Sequence, residues 1–401
     1  MLLLFSMTSC RWLCPDEEHI YDRTVLVYMA AENSLSPKYP RDDINEMLQA
    51  AGDIPTNSRL IIYLDDTQNP RFISIERDQE GKSVQKTLYQ YTSDLDSGDP
   101  ETLNKVMEWT TEHYPAHSYG LVLWSHGNGW VVANSNIPPM QRSICIDNNQ
   151  NTNQSDIGSK MDIAKIAETL SPFQKLEFIM FDACWMQSIE VAYELRNTTR
   201  FIIASPAEIP GPGAPYHRII KPMFEIPLDA NQIADEYFQE YHNEDREGEL
   251  RNYGVVLSVL DCTNLENLAN KTAEIITRYI SKESMPRLDD LQRYCPSPIP
   301  VPIKNEELRP SYYDMNAFMQ RLITNEDDYL SWKEALNRAI PYSAATPWWL
   351  SMSSGREFVD FNSFSGISCY VPQSDSSYTE LNTQFRTTSW YTATGWNKVG
   401  W

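Results

Sequence analysis

One cysteine of this sequence has the surroundings of a reactive nucleophile. The segment FIMFDACWMQSIE, residues 178–190, places Cys184 directly after an apolar run typical of a buried strand, with Asp182 two residues before it. A second apolar run ends at Trp124, two residues before His126, which is followed by Gly127. A thiolate beside an imidazole is a nucleophile for acyl transfer, because the ring can accept and return a proton. The residue types therefore predict cysteine-dependent acyl-transfer chemistry.

Each of these side chains also has an ordinary structural interpretation. A lone cysteine after a strand is most often a packed apolar residue, and a lone histidine there is often held by structural hydrogen bonds. Catalysis is favoured because both residues follow strands and because Gly127 and Gly129 allow a tight backbone turn beside the histidine. We also expect Cys184 to begin a helix, whose positive end favours the thiolate.

The elements that must position the pair alternate between strand and helix. Apolar, β-branched runs predict strands, and amphipathic stretches of helical length separate them. The predicted strands lie within residues 23–35, 58–66, 119–130, 176–184 and 200–208, and the predicted helices within 101–114, 161–170 and 185–195. This order predicts an α/β fold with a mostly parallel sheet flanked by helices. Loops at the carboxyl ends of such strands form the ligand crevice, so His126 and Cys184 are expected to meet there.

Other parts of the chain have different patterns. Residues 71–78 and 84–91 predict a hairpin on one edge of the sheet. The segment 142–160 is rich in Asn, Gln, Ser and Asp and is expected to be a mobile excursion. Beyond residue 260 the pattern becomes helical, a proline-rich passage at 295–310 predicts a linker, and the apolar run at 364–372 is a candidate for one more strand.

Charge and cysteine spacing exclude several classes of protein. The chain has 401 residues, with 55 acidic and 33 basic side chains and a formal net charge of −22. This balance argues against nucleic-acid binding, which needs concentrated Lys and Arg. The seven cysteines have no CxxC pair and no tight, even spacing, so neither a zinc knuckle nor a disulfide framework is indicated. No metal site is expected from these patterns.

The first residues, MLLLFSMTSC, form a short apolar run that ends in small residues before Cys10. This run resembles a bacterial lipobox, in which a signal segment is removed and the new terminal cysteine carries lipid. No later run approaches the 18 apolar residues needed to span a bilayer. We therefore expect an exported protein that is either secreted or held in the cell envelope, with membrane contact only through a lipid anchor on Cys10.

Several segments together resemble the clostripain-type cysteine peptidases, which share the caspase-like fold with gingipains, legumains and separase. They are TVLVYMAAENSL, YPAHSYGLVLWSHGNGW, FIMFDACWMQSIEVAYEL, ASPAEIPGPGAPY and, more weakly, YYDMNAFM near residue 312. Their order and spacing cover most of residues 20–260. The resemblance implies a caspase-like catalytic domain over residues 19–260. Residues 1–18 would precede it as signal segment and linker, and residues 261–401 would form an extension packed against it.

The resemblance also implies roles for individual residues. Cys184 would be the nucleophile that forms a thioester, and His126 would protonate the leaving amine. The backbone amides of Gly127 and Cys184 would stabilise the oxyanion. Asp182 would line the S1 pocket and pair with Arg or Lys at P1. The alternative for Asp182 is a buried acid that caps the following helix.

The sequence departs from the family pattern in the segment SPAE, where relatives often show serine followed directly by acids. Ser205 and Glu208 would form the second wall of the S1 pocket here. Family members are often activated by self-cleavage between the histidine and the cysteine, which makes Arg142 or Lys160 a candidate site; an ordinary flexible loop is the alternative. Calcium is associated with some relatives, but no hand-type calcium loop occurs here, so no cofactor is assigned.

These observations predict an exported cysteine endopeptidase that acts on peptide or protein substrates, after basic P1 residues, and that is a monomer. The rival hypothesis is a catalytically inactive surface lipoprotein that uses the peptidase scaffold to bind a peptide or a glycan. The 22 tyrosines and 11 tryptophans of the chain would suit such binding, although aromatic residues are also common in hydrophobic cores. A third hypothesis is a peptidase directed at a small amide bond.

Overall fold

A computed structural model of the protein describes residues 19–131, 144–149, 158–243, 248–281, 285–294, 312–351 and 354–401. The strands in these residues are β1 (Tyr21–Ala30), β2 (Ser58–Asp65), β3 (Arg71–Arg77), β4 (Ser83–Gln90), β5 (Ala116–Trp124), β6 (Ile144–Asp147), β7 (Ser159–Met161), β8 (Leu176–Asp182), β9 (Thr199–Ala204), β10 (Val256–Asp261), β11 (Tyr313–Asp314), β12 (Tyr342–Ala345), β13 (Trp348–Ser351), β14 (Gly355–Phe358) and β15 (Ser368–Cys369). The helices are α1 (Lys38–Gln49), α2 (Pro100–His113), α3 (Ile163–Leu170), α4 (Ile189–Leu195), α5 (Tyr216–Met223), α6 (Ala230–His242), α7 (Leu265–Tyr279), α8 (Met315–Leu322), α9 (Glu326–Ala339), α10 (Thr379–Phe385) and α11 (Ser389–Ala393).

A nine-stranded sheet in the order β12-β10-β9-β8-β5-β1-β2-β3-β4 forms the centre of the molecule. Strands β9, β8, β5, β1 and β2 pair in parallel, whereas β10 and β12 at one edge and β3 and β4 at the other pair antiparallel. Because β5 and β8 are parallel neighbours, the residues that follow them lie side by side at one end of the sheet. The predicted α/β class with a mostly parallel sheet is confirmed.

The sheet is covered on both faces because its strands are apolar on both sides. In β1, Leu26 and Tyr28 contribute to one core while Val25 and Val27 contribute to the other. Helices α2, α3, α4 and α7 supply apolar residues to the first core, and α1, α5 and α6 supply them to the second. This alternation follows from the period of two in a strand, which points successive side chains to opposite faces.

The prediction that a helix begins at Cys184 is wrong. Helix α4 begins at Ile189, and the Ser188 side chain caps it by accepting from the amide of Val191. Residues 183–188 instead form a turn and an extended stretch in which Trp185 has a φ of +58°. The amides of Trp185 and Gln187 donate to the carbonyls of residues 207 and 205 across the neighbouring loop, and these bonds replace the first helical turn.

Other predicted elements have mixed outcomes. The edge hairpin is confirmed as β3 and β4. The prediction of a mobile excursion at residues 142–160 is wrong for 144–147 and 159–160, which belong to the paired antiparallel strands β6 and β7. The late apolar run contains β15, which pairs with β11 and does not join the large sheet.

The part of the chain after residue 260 shares the central sheet with the part before it. Strand β12 pairs with β10 over four residue pairs and forms the edge of the nine-stranded sheet. The division into 1–18, 19–260 and 261–401 stays a prediction, and residues 1–18 lie outside the described residues. Among the helices that the structure describes, none has the length and apolar character needed to cross a bilayer.

Candidate active site

A cavity of about 470 Å³ lies at the carboxyl ends of β5 and β8. His126 and Cys184 both line it, and both side chains are only partly buried. Asp182 and Glu208 also line the cavity. The structure thus brings the predicted base, the predicted nucleophile and two predicted S1 acids to one space, although they come from three different strand ends.

The loop that carries His126 is fixed by the residue before it. The Ser125 hydroxyl donates to the carbonyl of Ala30 at 2.9 Å and accepts from the amide of Ile146 at 3.0 Å. These bonds tie the end of β5 to the end of β1 and to β6. The Ser34 hydroxyl lies 3.0 Å from Nε2 of His126, which makes it an orienting group for the ring. Through Ser34, the segment after β1 thus supplies a hydrogen-bond partner to His126.

Gly127 allows the histidine loop to touch the cysteine turn. A Cβ atom at this position would lie 2.7 Å from the Cys184 carbonyl oxygen and 2.9 Å from Cβ of Ala183, which is closer than side chains tolerate. Only glycine permits this backbone approach. The two loops therefore pack with the Gly127 backbone directly against the turn that carries Cys184.

The turn that carries Cys184 is held in an uncommon conformation. Trp185 adopts a left-handed φ of +58°, which costs a bulky residue about 1–3 kcal/mol. The indole Nε1 of Trp185 donates to the carbonyl of Tyr294 at 3.0 Å, so a distant segment fixes the ring. The amide of Ile209 donates to the Cys184 sulfur at 3.4 Å. An amide donor of this kind stabilises negative charge on an acceptor atom.

Asp182 forms a buried acidic wall of the cavity at the end of β8, with an exposed fraction of 4%. It accepts hydrogen bonds from the Ala214 amide at 3.2 Å and the Tyr216 hydroxyl at 3.1 Å. Burial raises the pKa of Asp182 to about 7, although these two donors oppose the rise. The alternative of a helix cap is wrong for Asp182, because Ser188 caps α4.

A second buried acid lies behind this wall. The indole Nε1 of Trp124, whose ring lines the cavity, donates to the carboxylate of Asp43 at 2.7 Å. Burial, and then the charge of Asp182, raise the pKa of Asp43 well above its ordinary value. Two neighbouring buried carboxyl groups resist carrying two negative charges at once. The pair therefore holds one proton more readily than either acid alone would.

The other site residues predicted from the sequence have different surroundings. Glu208 is 5% exposed and its carboxylate accepts from the Ser351 hydroxyl at 3.2 Å. Ser205 is completely buried, is not among the residues that line the cavity, and bonds to the backbone of residue 207. Lys160 is buried in β7. Arg142 and Cys10 lie outside the described residues, so their predicted roles stay predictions.

Ser34, Tyr253 and Leu350 are among the cavity-lining residues that the sequence did not identify. Ser34 lies inside the segment TVLVYMAAENSL, so that segment carried a signal for it. Tyr253 precedes β10 and Leu350 belongs to β13, in parts of the chain where no local pattern indicates chemistry. Their contribution depends on how distant segments fold back onto the sheet.

Three carboxylates that could hold a cation converge near the ends of β1 and β2. Oxygen atoms of Glu32, Asp65 and Asp94 lie within 4.8 Å of one another. Burial, and then the charge of Asp147, raise the pKa of Asp65 to about 10. Oxygen ligands of this type fit calcium, whose role here would be to compensate buried negative charge. A proton on Asp65 compensates the same charge, so these residues fit calcium without requiring it.

Comparison with known proteins identifies the family. A family model described as the clostripain family matches residues 27–401. Clostripain of Hathewaya histolytica is 28% identical over 222 residues, which are 49% of this chain and 41% of that protein. The match thus spans less than half of the length of that relative.

Solved structures agree with the family model. A secreted C11 cysteine protease from Bacteroides thetaiotaomicron, in complex with an irreversible peptide inhibitor, is 30% identical, covers 94% of this chain and 100% of its own, and has a TM-score of 0.79. An inactive zymogen C11 protease from Parabacteroides distasonis is 29% identical, covers 94% of this chain and 99% of its own, and has a TM-score of 0.77. The resemblance inferred from the sequence is confirmed, and the chain belongs to the clostripain family of cysteine-type endopeptidases.

Proposed function

We propose that the protein is an exported cysteine endopeptidase that cleaves peptide bonds after Arg or Lys with a Cys184/His126 dyad. The observation that carries the proposal is the shared cavity. A sulfur nucleophile, an imidazole and two buried acids line one space of about 470 Å³ at the end of the sheet. A cavity of this size accommodates a long side chain together with the scissile bond.

In the proposed mechanism, the Cys184 thiolate attacks the carbonyl carbon of the P1 residue and the carbonyl oxygen becomes an oxyanion. The backbone amides of Gly127 and Cys184 would donate to that oxygen. The close packing of Gly127 against the Cys184 carbonyl supports this assignment, because the two loops that carry these amides are in contact. When the tetrahedral intermediate collapses, the C–N bond breaks and His126 gives its proton to the leaving amine.

The second half of the reaction releases the acyl group. The product of the first half is a thioester on Cys184, and His126 is then neutral. The imidazole takes a proton from water, the resulting hydroxide attacks the thioester carbonyl, and the thiolate leaves. Ser34 supports this cycle as a positioning residue, because its hydroxyl lies 3.0 Å from Nε2 of His126 and restrains the ring.

Preference for a basic P1 residue would come from Asp182. A buried carboxylate gains most from an ammonium or guanidinium group, because the cation replaces the water that burial removed. Burial raises the pKa of Asp182 to about 7, so a cation that pairs with this carboxylate would offset the cost of its burial. Glu208 would contribute to the same pocket, since it lines the cavity and is held by Ser351.

Export and self-cleavage complete the proposal. The apolar run before Cys10 supports export with a lipid anchor, and the relative from Bacteroides thetaiotaomicron is described as secreted. Self-cleavage after Arg142 or Lys160 would fall between the two catalytic residues. Because Lys160 lies in β7 and pairs with β6, cleavage after Lys160 would require this strand to leave its partner first.

The proposal is tested by comparing the purified protein with its Cys184→Ala variant on coumarin amides that carry Arg, Lys or Asp at P1. We expect hydrolysis of the Arg and Lys amides by the wild type and a loss of at least about 10³-fold in the variant. Mass spectrometry of the same two proteins reports self-cleavage. Equal turnover by the two proteins would contradict the enzymatic proposal and favour the inactive binding protein.

A further inference from the structure

The β13–β14 hairpin forms one border of the catalytic cavity. Its strands pair antiparallel, with Trp348 opposite Phe358 and Leu350 opposite Arg356. Paired residues of an antiparallel ladder, and residues two positions apart in one strand, share a face of the sheet. These four residues therefore lie on one face, which we call the hairpin face. Leu350 also lines the cavity, so the hairpin face continues directly from the catalytic site.

The hairpin face is mostly apolar, is partly to fully exposed, and is bonded to the central sheet at its base. Phe358 is 69% exposed, the highest value among the large apolar side chains that the structure describes. The Arg356 guanidinium stacks over the Trp348 ring at 4.1 Å from its centroid. The Thr346 side chain bonds to the amide of Val255 at 2.9 Å and holds the base of the hairpin against the sheet. An exposed apolar patch of this kind beside a binding site indicates a contact surface.

The chemistry of the site determines which part of a substrate reaches this face. His126 must protonate the leaving amine, so residues after the scissile bond lie on the His126 side of Cys184. The acyl half of the substrate must then extend in the opposite direction. In the sheet, β5 carries His126 on one side of β8, and β9 and β10 lie on the other. Leu350 lies on that other side, because the hairpin follows β12, which pairs with β10.

We propose that the hairpin face binds the residues on the acyl side of P1 and selects an apolar side chain there. An extended peptide points alternate side chains to one face at a spacing of roughly 7 Å, which matches the spacing of Trp348 and Leu350 along β13. The two aromatic rings and the leucine offer apolar contact, and Arg356 makes an acidic residue the second-best choice. This inference rests on the proposed peptidase function, whose P1 pocket is separate from the hairpin face.

The experiment uses the full chain and two sets of coumarin substrates. One set carries only P1 lysine, and the other extends it by three residues with Leu, Ser, Asp or Lys scanned at each added position. The Phe358→Ser variant removes one ring of the hairpin face. Phe361→Ser is the matched control, because Phe361 is also exposed, at 57%, but lies outside the β strands of the hairpin.

For the wild type we expect a higher kcat/KM for leucine-extended substrates than for serine-extended ones. Phe358→Ser should lower this leucine-to-serine ratio about five- to tenfold, mainly through KM, since the leucine side chain of the substrate loses its contact with an aromatic ring. Phe361→Ser should leave the ratio unchanged. An unchanged ratio in Phe358→Ser, or an equal fall in both variants, would overturn the inference.

Other occupants of the hairpin face give different results. If the face binds a second copy of this chain, the Phe358→Ser variant has a smaller sedimentation coefficient than the wild type, and the inference is wrong. If another segment of this chain covers the face, Phe358→Ser raises turnover of the substrate that carries only P1, which also overturns it. Absence of any cleavage by the wild type would instead refute the proposed peptidase function.

Discussion

The Asp182 carboxyl group links the proposed P1 preference to pH. Only the ionised form attracts a lysine side chain, and burial raises the pKa of Asp182 to about 7. With that value, about 9% of the free enzyme carries the charge at pH 6 and about 91% at pH 8. The preference for lysine over an uncharged P1 residue of similar length should therefore rise about tenfold between these two pH values.

The assay measures kcat/KM for two coumarin substrates that differ only at P1, one with lysine and one with norleucine. The ratio of the two values cancels the titration of Cys184 and His126, because both substrates use the same dyad and kcat/KM reports the free enzyme. Asp182→Asn should remove the pH dependence of the ratio. It should also lower the ratio by about 30-fold or more, since losing one partner of a buried charge pair costs about 2–5 kcal/mol.

Asp43→Asn is the matched control for this prediction. Asp43 is the acid behind the cavity wall, and burial and then the charge of Asp182 raise its pKa well above its ordinary value. An amide resembles a neutral carboxyl group in shape, and the variant should keep most of the lysine preference. A wild-type ratio that stays flat from pH 6 to pH 8, or an Asp182→Asn enzyme that still prefers lysine, would refute the reasoning. If only Asp43→Asn loses the lysine preference, the charge that attracts lysine is carried by Asp43 and not by Asp182.

Two further predictions follow from neighbouring side chains. Ser34→Ala should lower kcat about three- to tenfold with little change in KM, because one hydrogen bond that orients His126 is lost; Ser34→Thr keeps the hydroxyl and should restore most of kcat, and a loss confined to KM would contradict the role. His217 lies 3.1 Å from a Glu46 oxygen and 3.7 Å from a Glu240 oxygen, and these acids raise its pKa to about 9. Because the folded-state pKa exceeds the ordinary 6.5, its stabilisation is complete below about pH 6.5 and is lost as the pH rises through 9. His217→Gln should therefore lower Tm by about 1–3 °C at pH 6 and by nothing measurable at pH 10, and an equal effect at both would contradict it.

The central sheet could be predicted because its strands are continuous apolar runs. A parallel strand covered on both faces needs no polar alternation, and β2 illustrates this with six consecutive buried residues from Leu60 to Asp65. The same rule located the site, since residues that follow adjacent parallel strands meet at one end of a sheet. His126 and Cys184 accordingly line one cavity although 57 residues separate them in the chain.

The start of α4 could not be predicted, because its position is decided by bonds between distant segments. The sequence after Cys184 is compatible with a helix, and periodicity alone extends that helix back to Trp185. The amide of Gln187 instead bonds to the Ser205 carbonyl, and its side chain bonds to the carbonyl of Ser258 at 3.0 Å. Propensity differences of a few tenths of a kcal/mol per residue are overridden by such buried bonds.

The late part of the chain is bonded directly to the segment that follows the Cys184 turn, which explains why local patterns could not assign its role. The Ser368 amide donates to the Gln187 carbonyl, and the Tyr370 amide donates to the Glu190 carboxylate at 2.8 Å. Both bonds join residues about 180 positions apart and hold the segment that follows the Cys184 turn. Because Trp185 keeps a left-handed conformation that is costly by itself, the turn needs partners that compensate this cost. The conformation of Cys184 therefore depends on residues beyond 260 as well as on the strand that carries it.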